Sequence, residues 1–206
     1  DFRRVLERVP GSYGALSDLA RLAAVRARAD LRAGKNPVPW LDQAIAESAK
    51  ATESNPKAAE AWMEVGSARA ERAAWRVARS RENPGAEASF DPEGEFAAAR
   101  AELDRALSVT AGWDHVWRAR AGVLRRWAAA RVGRGGDAEA LFAEAEADAT
   151  RALGLNVCLA QSWVERAEIR RSWAAATAGR GGDAGPRRAA AGLGEPLTLP
   201  LGARRQ

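Results

Sequence analysis

Three stretches of this chain repeat one another. AWMEVGSARAERAAW, VWRARAGVLRRWAAA and SWVERAEIRRSWAAA carry Trp62, Trp117 and Trp163, separated by 55 and 46 residues. Counting 46 back from Trp62 reaches Leu16, in ALSDLARLAAV, which has the same apolar rhythm. A chain that repeats at this period builds one supersecondary unit several times and buries its core between neighbours. Four residues after each large residue stands a tiny one, Ala20, Gly66, Ala121 or Ala167, and two further on Leu22, Ala68, Val123 or Ile169. A large residue with a small one a turn later lets another helix backbone come close.

A second ruler runs through LDQAIAESAKATESNP, FAAARAELDRALSVTA and FAEAEADATRALGLNV, which align without gaps. Ala44, Ala99 and Ala145 are followed seven residues later by Ala51, Ala106 and Ala152, two helical turns along one buried stripe. Five residues more reach Pro56, Ala111 or Val157, and six more the next tryptophan. That junction never varies, whereas the longer period holds nine extra residues within RENPGAEASFDPEGE, 81–95, which reads as a solvent loop.

The run GRGGD occurs at 133–137 and again at 179–183. Aligned by the second ruler, its acid Asp137 falls with Asn36 and Asp91, and the latter two are followed by Pro37 and Pro92. An Asx residue that accepts an orphan N–H, then proline in the first turn, starts a helix. Gly133, Gly135 and Gly136 read as the break that ends the preceding one. A phosphate loop would follow a strand and supply lysine then Ser/Thr, and neither is present. Helices are expected near 12–33, 37–54, 58–80, 93–109, 114–132, 138–154 and 159–179. DFRRVLERVP reads as half of a further helix. The hydrophobic share of 47%, mostly alanine and leucine, agrees with an all-α class.

The pattern resembles the tetratricopeptide repeat (TPR). Trp62 with Gly66 matches the opening of its W-x2-L-G-x2-Y motif, as do Trp117 with Ala121 and Trp163 with Ala167, alanine replacing glycine; Pro56 matches its closing proline. The unit is longer than the usual one of about 34 residues. Ala23, Arg69, Leu124 and Arg170 stand where the motif has tyrosine, and Ser48, Leu103 and Ala149 where it has a second-helix aromatic. This elongated form, with Trp117-Arg118-Ala119-Arg120-Ala121 and a GxD turn, is similar to repeats behind the catalytic domain of some bacterial serine/threonine kinases. The likeness covers 1–183 and implies a solenoid of antiparallel helical hairpins, about three and a half repeats. The units lie near 1–10 (partial), 11–56, 57–111, 112–157 and 158–183 (partial), before a Gly/Pro-containing, flexible basic tail, 184–206.

Chemistry is sparse. Cys158 is alone and is expected to pack between helices; His115 is the single histidine, read as a surface or junction residue. Glu144 and Asp148, a turn apart among alanines, read as a solvated helix face. No catalytic constellation, cofactor or metal site is expected, and no membrane span. The net charge of +5 is carried largely by the tail, where four arginines face the single Glu195, so nucleic acid is disfavoured as a partner. A chain opening at Asp1 with no basic-then-apolar leader is expected to be a fragment or a processed product.

The expectation is a non-catalytic scaffold that binds a peptide or partner protein on its concave face. By likeness to TPR grooves, the binding residues are Arg21, Met63, Ser67, Arg118, Gly122, Arg125, Arg126, Val164 and Arg171. Their arginine bias suits acidic partners, unless the arginines pair with Glu64, Glu71, Glu165 and Glu168 on neighbouring turns. The competing expectation is a structural subunit assembling head-to-tail through incomplete terminal repeats. No compartment is assigned: cytoplasmic suits a kinase part, exported a filament subunit.

Overall fold

A computed structural model describes residues 2–83 and 89–179. The tail 184–206, the second GRGGD from Arg180 onward and the centre of the 81–95 loop lie outside the described residues. Those described form eight α-helices and no strand: α1 (Phe2–Arg8), α2 (Tyr13–Arg32), α3 (Val38–Ser54), α4 (Ala59–Glu82), α5 (Pro92–Val109), α6 (Asp114–Val132), α7 (Glu139–Leu155) and α8 (Ala160–Gly179). The seven expected helices match α2 to α8 within two residues at every end. None of the eight is long and apolar enough to cross a membrane.

Helices α2 and α3, α4 and α5, and α6 and α7 pair along their lengths as hairpins. Helix α2 touches α4, α4 touches α6 and α6 touches α8, whereas α3, α5 and α7 do not meet one another. A stack that closes on one side and opens on the other is a helical-hairpin solenoid whose inner face is built by the even-numbered helices.

Small residues set the spacing. Ala51, Ala99, Ala106, Ala145 and Ala152 are fully buried, and Ala44 nearly so. A Cβ on Gly66 would lie 2.7 Å from the carbonyl oxygen of Ala99 and 3.1 Å from Leu103 Cγ, so only glycine admits α5 at this distance. Ala20 and Ala121 are buried likewise; Ala167, on α8, is exposed. Leu22 departs from its register partners and is exposed.

The invariant junction has a physical cause. Trp62 Nε1–H donates to the carbonyl of Pro56 at 2.9 Å, Trp117 to Ala111 at 2.8 Å and Trp163 to Val157 at 2.8 Å. Each indole thus ties the start of an inner helix to the loop six residues before it, so the spacing cannot change without losing the bond. A guanidinium lies over each ring: Arg105 on Trp62, Arg120 on Trp117 and Arg166 on Trp163. Near the opposite end, Phe96 stacks on Trp127 and Phe142 on Trp173, with centroids 6.3 and 6.0 Å apart. Their indoles donate to Glu93 and Glu139, both at the start of the preceding outer helix.

The turns follow their sequence signals. Asn36, Asp91 and Asp137 each accept from the backbone N–H two residues on, at 3.0, 3.0 and 3.4 Å. Gly34 and Gly135, equivalent in the repeat, have φ of +68° and +77°. Around each, paired bonds close the helix end: Lys35 N–H to Asp30 O with Gly34 N–H to Leu31 O, and Gly136 N–H to Arg131 O with Gly135 N–H to Val132 O. This is a Schellman end, and it needs one left-handed residue. Gly133 stays right-handed, so the break rests on Gly135.

Two expectations need correction. Cys158 is exposed in the turn before α8, because the junction loop carries it clear of both helices. Asp148 is buried, 3% exposed, because α6 swings Arg120 over it: Nε and Nη2 reach its carboxylate at 2.7 Å each. Its neighbour Glu144 accepts from Arg100 at 2.7 Å, so this face is a helix-to-helix staple. Trp163 keeps its junction bond yet is 45% exposed, since no described helix lies beyond α8.

Candidate peptide-binding groove

Arg118, Gly122, Arg125 and Arg126 recur at one and two turns along α6 and therefore share a face. Met63 and Ser67 on α4, Arg21 on α2, and Val164 and Arg171 on α8 come from the other inner helices. Several arginines elsewhere on the helices staple one helix to another. Arg69 binds Glu102 at 3.0 Å; Arg72 bridges Asp42 at 2.6 Å and Glu95 at 2.9 Å; Arg170 binds Glu146.

The groove arginines divide into two kinds. Arg21 pairs with Asp18 at 2.8 Å, Arg171 with Glu168 a turn earlier, and Arg125 Nε with Glu165 Oε1 of α8 at 2.6 Å. Arg118 and Arg126 make no ion pair among the described residues, and Arg118 Nε is buried with no hydrogen-bond partner. Gly122 is buried between them: the position its Cβ would take lies 3.1 Å from Arg126 Nη1 and 3.5 Å from Glu165 Cδ. A side chain there would displace the Arg126 guanidinium, so glycine seats it. Burial is the main influence on Arg126 and lowers its pKa; Arg125 and Arg28 act the same way, against Glu71 and Glu165. A guanidinium stays charged at neutral pH even so. Met63 and Ser67 are half-buried, with Met63 packed on the central core, while Val164 is 61% exposed.

The expected pairing of these arginines with nearby acids therefore holds in part and by a different route. Glu165 is taken by Arg125 across helices and Glu168 by Arg171 within one. Glu64 and Glu71 form no ion pair among the described residues. Burial raises the Glu64 carboxyl above its ordinary value, with Glu71 and Glu60 adding to the shift and Arg28 and Arg21 opposing it. The inner face thus has an acidic part on α4, around Glu60 and Glu64, and a basic part on α6.

One part of the site was not foreseen. Between α2, α3 and α4 lies a cavity of about 200 Å³, walled by Ser17 and Arg21 from α2, Ser48 from α3, Met63 and Glu64 from α4, and His115 from α6. The available signal was Ser48, a hydroxyl at the register position filled by Leu103 and Ala149. Arg28, seven residues beyond Arg21, and Glu60 were likewise within reach of helical stepping. No protein-family model matches the chain, and no curated protein matches it in sequence.

Proposed function

We propose that the chain is a TPR-like scaffold whose inner face binds an extended or helical segment of a partner protein, with acidic side chains of that segment seated on α6. The observation that carries this reading is the pair Arg118 and Arg126: two guanidiniums on one face, one turn either side of buried Gly122, neither held in an ion pair among the described residues. A cation desolvated without a partner costs stability, and an incoming carboxylate recovers it through charge-assisted hydrogen bonds. The likeness to repeats behind bacterial kinases makes a signalling assembly the natural setting.

The test is capture on a peptide array in which acidic and basic positions are varied systematically. Arg118→Glu with Arg126→Glu should abolish capture of the acidic peptides, each arginine contributing about tenfold to a hundredfold. Arg125→Ala should do less, because Glu165 already occupies that guanidinium. Capture unchanged by the double reversal would remove the groove assignment.

A second reading, head-to-tail assembly, is favoured by apolar side chains exposed at both ends of the array: Val5 and Val9 near α1, Val157, Trp163 and Val164 at α8. Sedimentation that stays monomeric across a wide concentration range would dispose of it.

A further inference from the structure

The cavity under the first hairpin has the chemistry of a cation site. Ser17 and Ser48, 7% and 1% exposed, line it, and neither buried hydroxyl has a hydrogen-bond partner. Orphaned buried hydroxyls carry a desolvation cost that an entering group with hydrogen-bonding capacity would relieve. Half-buried Glu64 and exposed Glu60, a turn earlier, also line it, and neither carboxylate has an ion pair among the described residues. Ala61 and Met63 supply an apolar strip beside them.

We infer that this cavity is a lysine pocket, taking the side chain of a lysine on the segment docked in the inner groove. The source of the lysine rests on the peptide-binding reading; the preference for a primary ammonium does not. An ammonium presents three rotatable donors, matched by Ser17 Oγ, Ser48 Oγ and the Glu64 carboxylate. A guanidinium presents a rigid planar fork and prefers a facing carboxylate to scattered hydroxyls. The four methylenes need an apolar wall, which Met63 and Ala61 provide. An apolar cavity of about 150 Å³ holds benzene, so there is room for the stem. An anion would have to enter beside two unpaired carboxylates, and the lining Arg21 is already engaged by Asp18 at 2.8 Å. Burial raises the Glu64 carboxyl even against the opposing Arg28 and Arg21, which fits a carboxylate that holds no ion pair.

Met63 is the only methionine in the chain, so its methyl resonance reports on the pocket unambiguously. The full chain, labelled at that methyl, is titrated with n-butylammonium and in parallel with n-butanol. A saturable shift with the amine, much weaker with the alcohol, is expected. Glu64→Gln, nearly isosteric, should weaken the amine at least about tenfold. Ser48→Leu, which installs the residue found at position 103, should fill the cavity and abolish the shift; should it fail to fold, Glu64→Gln decides. Equal response to amine and alcohol, no saturable shift, or an amine affinity indifferent to Glu64→Gln would each overturn the pocket. A captured peptide whose lysine is replaced by norleucine should bind at least about tenfold more weakly, and unchanged binding would also overturn it. Arg118→Glu with Arg126→Glu should leave the amine titration intact. Should the parent chain capture no acidic peptide while its amine titration persists, the groove reading falls and the cation site stands.

Discussion

The first hairpin, α2 with α3, and the second, α4 with α5, follow one backbone plan and fill it differently. In the second, Gly66 admits Leu103 and Phe96 stacks on Trp127, and all of these are buried. At the same register the first has Ala20, Ser48 and Leu41, and Arg72 of α4 stands where α6 carries Trp127. Arg72 bridges Asp42 of α3 and Glu95 of α5, and the first hairpin takes its indole lock instead from Trp40 to Asp30 at 3.0 Å. The repeat thus tolerates exchange of its filling as long as its joints are kept. Where the filling is reduced, at Ser48, a cavity opens between the helices. The repeat's packing rule is relaxed at the place where the lysine pocket is proposed.

The most disruptive way to break this comparison is to give the second hairpin the filling of the first. Leu103→Ser removes a fully buried side chain and strands a hydroxyl, and should cost about 3–5 kcal/mol in urea unfolding. A loss under about 1 kcal/mol would mean the two hairpins are equally tolerant.

Gly66→Ala sharpens the comparison by its sign. Its new methyl meets a carbonyl oxygen at 2.7 Å, so about 1–3 kcal/mol should be lost to overpacking. Gly154→Ala, on an open face of α7 with nothing within 4 Å, should instead gain about 0.5–1 kcal/mol. Two variants moving stability the same way would show that backbone propensity, rather than the approach of α5, governs position 66.

The smallest effect concerns Glu93, which holds Trp127, Arg131 and Arg134 in the second joint and is replaced by Val38 in the first. Burial alone would raise its carboxyl, but hydrogen bonds from Arg131 and Trp127 outweigh that and hold it below the ordinary range. A carboxyl depressed on folding supports the fold above its unfolded pKa, about 4.3, and that support drains away as pH falls through the lower folded value. The melting temperature of Glu93→Gln should therefore lie below that of the parent at neutral pH and converge on it in acid. Because Glu93 is partly exposed the gap should be small. Parallel curves from neutral pH down to about pH 2 would show that the carboxylate does not act through its charge.

Helices and turns were legible because they depend on local chemistry: an Asx side chain before a helix, a glycine after one, alanines at seven-residue steps. The rigid junction was legible as a spacing, though not as the indole bond that causes it. The groove was legible only to the resolution of a helix face. Arg125 and Arg126 are neighbours in sequence, and their different states are decided by Glu165, forty residues away on α8. Asp148 was misread for the same reason: its partner Arg120 lies on another helix. The cavity needs Ser17, Ser48, Met63 and His115 to converge from four helices, and no periodicity within one helix announces that.

The indole-to-carbonyl tether recurs at every complete joint and always on the same side of the stack. Fixing one edge of each unit in this way makes the unit behave like a leaf on a spine: the bound edge keeps register while the free edge changes length. The nine extra residues between α4 and α5 fall on that free edge. Segments of other lengths grafted at the Asx turns should therefore alter the outline of the molecule without re-aiming Arg118 and Arg126.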